Sequence, residues 1–348
     1  MNALTSSLYR EDIKKALNKL DLTQLQGKNI LITGGLGLIC STIADLLIVA
    51  NQMQELDIHI FIAARSHSKF IERYGVYNNI SYIAYDATKN INFQFHADYI
   101  IHGASLASPD KYIIEPVETI LSNIKGISDL LMYAKMENSN RVLYISSSEV
   151  YGMKSTSEAW VEEDYGSVNI NSLRSSYAIS KQAAELFCKA FYSEYNVDTV
   201  IVRPGHVFGP TASSSDKRVA SDFAFKAAKK IPLILKSSGM QKRSYCYCVD
   251  VAAAILIVLL KGNSAESYNI GTKESMSIRD MAETYAKAGK VQLQYAVPME
   301  SEMKAFNPMN NSTLNSDKLN RLGFKSSFST CEALEHTVEI LRERLDSL

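Results

Sequence analysis

The chain lacks an excess of either charge, has few cysteines and contains no long apolar run. It carries 37 lysines and arginines against 37 aspartates and glutamates in 348 residues, so no basic field favours nucleic acid or an anionic membrane as a partner. Its five cysteines include no Cys-x-x-Cys pair, which favours a reducing, cytoplasmic compartment and predicts no metal site. The most apolar stretch, residues 249–260, is too short to span a bilayer and predicts a buried helix.

Short apolar runs alternate with helical stretches along the first half of the chain. The runs that predict strands are 28–33, 58–63, 80–85, 97–102 and 141–145. The helical stretches among them include 43–50 and 124–135. This alternation predicts an α/β fold with a doubly wound parallel sheet and helices on both faces. Residues 1–27 precede the first strand, and 11–20 predict an amphipathic helix that packs on the body of the protein.

A glycine turn follows the first strand and opens onto an apolar helix. Gly34-Gly-Leu-Gly37 lies where backbone N–H groups at the start of a helix could approach a pyrophosphate. The expected spacing would place a third glycine at position 40, and the chain has Cys40 there. A small thiol is expected to preserve close packing of helix and strand at some loss of fit. The strand, turn and helix together predict a dinucleotide site.

The ends of the second and third strands bear on which dinucleotide binds. A site that prefers NAD usually has a carboxylate at the end of the second strand, for the ribose hydroxyls. This chain has Ala64-Arg65-Ser66 there, and Arg65 could accommodate the 2′-phosphate of NADP. The third strand ends at Asp86, whose carboxylate is expected to meet the adenine amino group. NAD and NADP both stay open at this point.

The most informative catalytic signal is Tyr177-Ala-Ile-Ser-Lys181, which follows the serine run Ser146-Ser-Ser148. Residues four apart on a helix share a face. A lysine ammonium beside a phenol favours the phenolate, so the pKa of Tyr177 is expected to be drawn toward neutral pH. Tyr177 would then act as general base on a substrate hydroxyl held by a serine, while a hydride leaves the adjacent carbon.

The glycine turn, Asp86, the serine run and the Tyr177–Lys181 pair follow one another along the chain in the order seen in one family. The chain resembles the extended short-chain dehydrogenase/reductases of the NAD-dependent epimerase/dehydratase type, which modify nucleotide sugars. The resemblance runs from about residue 28 to about residue 323. Further segments that carry it are His102-Gly-Ala-Ser105, Asn123, Ser146-Ser-Ser-Glu-Val-Tyr-Gly152 and Arg203-Pro-Gly-His-Val-Phe-Gly-Pro210. It implies a Rossmann domain over 28–205 and a smaller α/β substrate lobe mainly over 206–348, with some chain returning to the Rossmann domain. Residues 1–27 would be a helical extension.

The resemblance also assigns roles to individual residues. It implies Ser147 as the catalytic serine, Tyr177 as the base, and Lys181 as the residue that tunes the base and binds the nicotinamide ribose. The other residues implied at the cofactor are Gly34, Gly37, Leu38, Ile39, Arg65, Asp86, Ala87, Ala104, Ser105 and Pro204. Those implied at the substrate are Ser148, His206, Arg218 and Arg243. The two arginines could clamp a diphosphate, because the guanidinium fork matches phosphate oxygens.

The implied cofactor is NAD, with NADP open because of Arg65, and the implied substrate is a nucleoside-diphosphate sugar. Relatives commonly form homodimers through two long helices per subunit, which in this chain would contain 123–135 and 177–195. The same kind of dimer is therefore expected here.

Three reactions share oxidation of the sugar at C4: epimerisation, loss of water and loss of a C6 carboxylate. The family's 4,6-dehydratases have an Asp-Glu pair after the catalytic serine, whereas this chain has Ser148-Glu149. Ser-Glu before Val-Tyr-Gly resembles UDP-glucuronate decarboxylases, as do segments 102–109 and 218–223. Decarboxylation is therefore ranked first, with Glu149 acting at C5–C6 of the sugar, 4-epimerisation second and dehydration third. Two alternatives from other classes stay open. One is an NADPH-dependent reductase of a keto sugar or other carbonyl compound, and the other is a catalytically inactive member of the fold that binds a nucleotide sugar or a partner protein.

Overall fold

The computed structural model of the protein describes residues 2–107, 109–154, 156, 158–272, 274–297 and 311–346. Ser108, in the segment that resembles the decarboxylase loop, and residues 298–310 of the expected substrate lobe lie outside the described residues. Within the described ranges, no helix combines the length and the apolar character that crossing a bilayer requires.

A seven-stranded sheet, parallel throughout, forms the centre of the fold. Its strands are β1 (Asn29–Thr33), β2 (His59–Ala64), β3 (Ile80–Ala84), β4 (Tyr99–His102), β5 (Arg141–Ile145), β6 (Thr199–Pro204) and β11 (Ser267–Ile270). Their order across the sheet is β11-β6-β5-β4-β1-β2-β3. The strand order reverses between β1 and β4, where a doubly wound sheet opens a crevice at its carboxyl ends. The expected fold class and the five predicted strands are confirmed.

Helices cover both faces of this sheet because successive strand residues point to opposite sides. Ile30 and Ile32 of β1 pack into one apolar cluster, whereas Leu31 packs into another. The first cluster includes α2 (Leu38–Gln54) and α8 (Cys248–Lys261), and the second includes α5 (Pro116–Glu137) and α6 (Ser175–Tyr195). The buried helix predicted over 249–260 is α8, so that prediction is confirmed.

The other described elements are shorter or lie farther from the sheet. The remaining helices are α1 (Ser7–Leu17), α3 (His67–Tyr74), α4 (Pro109–Ile114), α7 (Val219–Ala228), α9 (Ile278–Gly289), α10 (Asp317–Arg321) and α11 (Thr330–Asp346). Small sheets pair β7 (His206–Phe208) with β10 (Tyr245–Tyr247), β8 (Leu233–Leu235) with β13 (Leu293–Tyr295), and β9 (Lys242–Arg243) with β12 (Met276–Ser277) and β14 (Asn311–Ser312). β11 lies in the central sheet and α8 packs in the apolar cluster on one of its faces, while the domain boundaries stay predictions.

The N-terminal extension packs across both halves of the molecule. Its helix α1 begins four residues earlier than predicted, because Ser6 Oγ accepts a hydrogen bond from the Tyr9 N–H and caps the helix. The Tyr9 hydroxyl donates to Asp45 of α2 at 3.0 Å. Asp12 accepts a hydrogen bond from Tyr247 of β10 at 2.7 Å. The extension therefore packs on the body of the protein, as expected.

Candidate active site

The glycine turn after β1 presents backbone to the crevice at the start of α2. Gly34 has φ +72°, and a Cβ there would lie 2.9 Å from Ala104 Cα, so glycine is needed for the two loops to approach. Gly37 is the N-cap of α2, and no side chain caps this helix. The first-turn N–H groups of Leu38 and Ile39 have no intrahelical acceptor. Such a helix start binds phosphate.

Cys40, at the position of the missing third glycine, packs against a glycine that follows β4. A Cβ on Gly103 would overlap Cys40 Sγ, so the absent side chain at 103 leaves room for the thiol at 40. Burial raises the pKa of Cys40 to about 12, which leaves it a packing group rather than a nucleophile. The looser packing of helix and strand expected at position 40 is thus avoided, because Gly103 after β4 makes room for the Cys40 side chain.

Asp86 and Ala87 lie at the carboxyl edge of the sheet just after β3. The Asp86 carboxylate accepts hydrogen bonds from the N–H and the hydroxyl of Thr88, at 3.0 and 2.8 Å. The backbone hydrogen bond from Thr88 first, and the charge of Arg65 to a smaller degree, hold the pKa of Asp86 below its usual range. Arg65 is exposed at the end of β2. The arrangement keeps a charged acceptor where an adenine amino group is expected.

Ala104 and Ser105 follow β4 and face the glycine turn. The Ala104 N–H donates to Thr33 Oγ1 at 3.3 Å, which holds this loop against β1. Ser105 Oγ is buried and has no hydrogen-bond partner in the described part of the chain. A buried hydroxyl without a partner is unfavourable, and a polar group of a bound dinucleotide would satisfy it. With the open helix start, this observation shows that the residues present fit a dinucleotide.

Pro204 lies at the end of β6, on the other side of the crevice. It is buried and lies opposite Ile270 of β11 in the sheet register. Its contact with the cofactor, implied by the resemblance, stays a prediction.

Tyr177 and Lys181 lie one turn apart on α6, and both are buried. Lys181 Nζ donates to the Ile145 carbonyl at 2.7 Å and lies 5.7 Å from the centre of the Tyr177 ring. Burial lowers the pKa of Lys181 to about 7 and raises the pKa of Tyr177 to about 12. The expected lowering of the Tyr177 pKa is therefore wrong for this structure, because burial disfavours the phenolate more than the nearby charges favour it.

Ser147 and Tyr177 meet as the sequence predicts. Burial raises the pKa of Tyr177, and the nearby Ser147 hydroxyl acts in the opposite direction. Ser147 is also the N-cap of the 3-10 turn Ser148–Tyr151, because its Oγ accepts from the Glu149 N–H at 3.2 Å. Ser148 is buried within this turn. The turn therefore brings a serine hydroxyl to the proposed base.

Glu149 is held by an arginine that the sequence analysis missed. Arg174 donates from Nη1 and Nη2 to the two carboxylate oxygens, at 3.2 and 3.3 Å. A bidentate arginine–carboxylate pair of this kind fixes the orientation of the carboxylate as well as its charge environment. Arg174 precedes Tyr177 by three residues, which places both near one face at the start of α6. That spacing is the signal that could have revealed it.

Tyr112 of α4 is a second aromatic group in the cleft that the sequence analysis missed. Its ring stacks on Tyr177 with centroids 4.4 Å apart and 10° between the ring planes. Burial first, then the Tyr177 and Glu149 charges, raise the pKa of Tyr112 well above its ordinary value. Tyr112 is thus a neutral phenol whose ring covers one face of the Tyr177 ring. No local sequence pattern marks it, because α4 reaches α6 only through the tertiary fold.

The two arginines predicted to bind diphosphate differ in their partners. Arg218 Nε donates to both oxygens of Asp216 at 3.0 Å, and this pairing holds the pKa of Asp216 low although burial acts to raise it. Arg243 is 3% exposed and donates to the Lys242 carbonyl at 2.9 Å. It forms no salt bridge with any described residue. A buried guanidinium without a counterion favours the binding of an anion.

His206 of β7 lies near both arginines, and its contact with substrate stays a prediction. Burial first, then the Arg243 and Arg218 charges, lower the pKa of His206 to about 3, so its imidazole is neutral. Its Nδ1 is buried and lacks a hydrogen-bond partner among the residues described. The ring packs edge-on against Tyr245 with centroids 5.9 Å apart. A neutral imidazole can accept at one nitrogen and donate at the other.

Together these side chains form one cleft at the carboxyl ends of the strands. Glu149 and Arg218 both act electrostatically on Tyr177, and Glu149 also acts on Arg243. The ranges that the structure describes contain no cluster of three or more His, Cys, Asp or Glu side chains that could hold a metal. A serine–tyrosine–lysine set, a single oriented carboxylate and two arginines thus lie on the other side of the cleft from the glycine turn. This set suits reversible proton and hydride transfer at a hydroxyl of an anionic substrate.

The sequence model of the NAD dependent epimerase/dehydratase family matches residues 30–271, which contain both sides of this cleft. The chain belongs to this family. Its members are enzymes that modify nucleotide sugars, so the resemblance stated from the motifs is confirmed.

Curated relatives carry two kinds of name. UDP-glucuronic acid decarboxylase 1 of Xenopus tropicalis is 30% identical over 75% of this chain, which spans 60% of the length of that relative. UDP-glucuronic acid decarboxylase 3 of Arabidopsis thaliana is 32% identical over 73% of this chain and 72% of the relative. A dTDP-D-glucose 4,6-dehydratase of Homo sapiens is 27% identical over 91% of this chain and 90% of the relative.

Solved structures of similar fold include epimerases and dehydratases. A UDP-glucose 4-epimerase of Thermotoga maritima, solved with UDP-glucose, has a TM-score of 0.76 at 21% identity and covers 91% of this chain and 99% of its own. A dTDP-glucose 4,6-dehydratase of Streptomyces venezuelae, solved with NAD, has a TM-score of 0.76 at 21% identity, covering 92% and 98%. At these identities the likeness concerns the fold.

Proposed function

We propose that the protein oxidises a nucleotide sugar at C4 with bound NAD and releases the C6 carboxylate of a UDP-glucuronate-like substrate. The observation that carries this proposal is the Glu149–Arg174 pair, 3.2 Å between charged atoms, at the turn that also carries Ser147. Dehydration by the route of the family's 4,6-dehydratases uses two carboxyl groups there, one as acid and one as base. This chain has a single carboxylate, already oriented by an arginine.

The residues that would hold NAD are the glycine turn, Asp86, Ser105 and Lys181. When bound, NAD supplies a reversible hydride acceptor for the sugar C4. Ser147 lies close enough to Tyr177 to lower its pKa, so both hydroxyls can hold the C4 oxygen. Only the phenolate of Tyr177 can take the hydroxyl proton as the C4 ketone forms, and the positive charge of a bound nicotinamide would favour that phenolate against the effect of burial. The resulting phenol can return the proton when the ketone is reduced.

A ketone at C4 makes the C6 carboxylate labile. When the C5–C6 bond breaks, CO₂ leaves and the electron pair is delocalised onto the C4 oxygen as an enolate. A proton must then be added at C5. Glu149, held in one orientation by Arg174, acts on this C5–C6 region, and Arg243 attracts substrate anions because it is buried without a described counterion.

Mass spectrometry of the sugar after incubation with NAD and no reductant tests the proposed reaction. UDP-glucuronate is expected to lose the mass of CO₂, whereas UDP-glucose and dTDP-glucose should keep their mass. Loss of water from dTDP-glucose would assign dehydration instead. An unchanged mass with inverted configuration at C4, seen by NMR, would assign epimerisation, and net consumption of NADPH would assign a reductase. An unchanged substrate in every incubation would contradict catalysis on these sugars.

A Glu149→Gln variant tests the role of the carboxylate. Reduced nicotinamide should still appear in its absorbance spectrum, because Tyr177 and Ser147 remain, while release of CO₂ should fall. Glu266→Gln is a suitable control, since Glu266 pairs with Lys318 on the surface. If both half-reactions survive in Glu149→Gln as in the control, Glu149 has only a structural role.

We extend the proposal to a homodimer formed through α5 and α6. These two helices pack on each other and carry exposed apolar side chains, with Val117 60%, Met136 76% and Leu186 67% exposed. A second copy that presents the same helices would bury them around a twofold axis. Light scattering after gel filtration should give twice the mass of the chain, and Leu186→Glu should lower it. A monomeric wild type at micromolar concentration would contradict the dimer.

A further inference from the structure

Glu185 and Arg203 form a buried ion pair one helical turn from Lys181. Glu185 lies four residues after Lys181 on α6 and is 5% exposed. Arg203 of β6 donates from Nε to Glu185 Oε1 at 3.0 Å and from Nη2 to Oε2 at 2.6 Å. Loss of one partner of such a pair leaves an uncompensated buried charge. The proposed reaction so far gives this pair no part.

Arg203 also connects two catalytic segments. Its Nη1 donates to the Tyr151 hydroxyl at 3.0 Å and to the Glu162 carbonyl at 2.8 Å. Tyr151 ends the 3-10 turn whose N-cap is Ser147, and its hydroxyl donates to Asn269 of β11 at 2.6 Å. The guanidinium therefore ties the turn that carries the serine to the helix that carries Tyr177 and Lys181.

Glu185 adds a negative charge one helical turn from Lys181. Burial lowers the pKa of Lys181 to about 7, and Glu185 is the largest influence in the opposite direction. Lys181 donates to Ile145, the last residue of β5 and two positions before Ser147. The charge of the lysine and the position of the serine turn are thus both linked to the same ion pair.

We propose that Glu185 and Arg203 are a positioning pair for the active site. Glu185 maintains the charge of Lys181, and Arg203, through Tyr151, sets the serine turn against α6. The consequence for turnover rests on the proposed function, whereas the effect on Lys181 is independent of which reaction is catalysed.

The first test replaces Glu185 by glutamine, which keeps the size and removes the charge. NMR titration of ¹³C-labelled lysine should show the pKa of Lys181 lowered by about 1 unit, the order expected when a charge one helical turn away is lost. The basic limb of the pH–rate profile should move to lower pH by a similar amount. An unchanged Lys181 titration would overturn the role of Glu185.

Asp45→Asn is a matched control for loss of a buried carboxylate. Asp45 is fully buried, accepts from Arg73 at 2.6 Å and accepts from the Tyr9 hydroxyl at 3.0 Å. Like Glu185, it is a buried carboxylate paired with a buried arginine, but it lies on α2. Asp45→Asn should lower stability as much as Glu185→Gln, but it should leave the pKa of Lys181 unchanged. An equal shift in both variants would overturn the proposal.

Tyr151→Phe tests the second half of the proposal and removes only a hydroxyl. The rate should fall about 10-fold, as expected for a misplaced catalytic group, while the Lys181 titration stays unchanged. Trp160, the single tryptophan of the chain, stacks on Tyr151 with centroids 4.9 Å apart, so its fluorescence should also change. Unaltered fluorescence and rate would overturn the role of Arg203 through Tyr151. If the wild type acts on no nucleotide sugar, the proposed function fails while the titration and the fluorescence still decide this inference.

Discussion

The two sides of the cleft are built from different parts of the chain. The cofactor side presents mainly backbone, through Gly34 and the open N–H groups at the start of α2. The proposed substrate side presents charged side chains, the Glu149–Arg174 pair and the buried Arg243. Backbone geometry at a turn depends on a few adjacent residues, whereas a charge pair depends on segments that meet only in the fold. The cofactor side is therefore expected to respond to changes of shape and the substrate side to changes of charge and proton affinity.

The largest effect is expected from removal of the proposed base. Tyr177→Phe keeps the stack on Tyr112, 4.4 Å between centroids, and removes the hydroxyl that exchanges the proton. Turnover should fall roughly 1,000-fold, within the range for loss of a general base, while NAD binding persists. Steady-state rates and NAD titration measure the two effects. Tyr165→Phe, at a side chain that is 91% exposed, is the control, and an undiminished rate in Tyr177→Phe would refute the assignment.

Alanine substitutions at two glycines, Gly34 and Gly27, test the cofactor side of the cleft. Gly34 and Gly27 have φ of +72° and +66°, so alanine should cost about 1–2 kcal/mol of stability at either position. A Cβ at Gly34 would also lie 2.9 Å from Ala104 Cα, whereas nothing lies within 4 Å at Gly27. Gly34→Ala should therefore lose more stability and weaken NAD binding as well. Urea denaturation and calorimetric NAD titration provide the comparison, and equal behaviour of the two variants would contradict it.

The two arginines of the substrate side should differ in their effect on substrate binding. Arg243→Gln should raise KM for the nucleotide sugar about 10- to 100-fold, because it removes hydrogen bonds to a charged group. Arg218→Gln should have a smaller effect on KM, since Arg218 already pairs with Asp216 at 2.6 Å and its side chain is 38% exposed. Steady-state kinetics of the two variants against wild type decide this. A larger rise in KM for Arg218→Gln would reverse the assignment.

A loss of stability in mild acid is also expected. Burial lowers the pKa of His102 and of His206 to about 3, whereas an unfolded histidine titrates near 6.5. As pH falls between these values the unfolded chain binds protons that the folded chain does not. Each histidine then lowers stability by up to about 1.4 kcal/mol per pH unit.

Urea denaturation at about pH 7 and about pH 5, on either side of the unfolded histidine pKa, measures this loss. His206→Asn should show a weaker pH dependence than wild type, because one of the two imidazoles with a lowered pKa is gone. His67→Asn, at an exposed side chain, is the control. A pH dependence that is the same in all three proteins would contradict the neutral state of His206.

The parts of the fold that short patterns describe were predictable. The apolar runs placed β1 to β5 within two residues of their observed bounds, because strand burial on both faces leaves a continuous apolar signal. The glycine turn was recognised together with its helix. The start of α1 was placed too late, because its cap is Ser6 and the helix owes its position to buried contacts such as that of Tyr9 with Asp45.

The charged partners of the site were not predictable in the same way. Glu149 was identified from its motif, but its pairing with Arg174 depends on a turn after β5 that meets the start of α6. Tyr112 reaches Tyr177 from α4, and no spacing rule joins these segments. The direction of the Tyr177 pKa was also wrong, since a Tyr-x-x-x-Lys spacing records proximity and not the burial that dominates the pKa.

The sequence by itself determined the doubly wound sheet and the glycine turn, and it supplied the prediction that Ser147, Tyr177 and Lys181 are catalytic, because each depends on residues that are near one another in the chain. The tertiary structure alone decided which arginine orients Glu149, why Cys40 is tolerated beside Gly103, and how the Glu185–Arg203 pair joins α6 to the serine turn. The physical reason is that burial and electrostatic energy depend on distance in space, whereas local motifs record only distance along the chain.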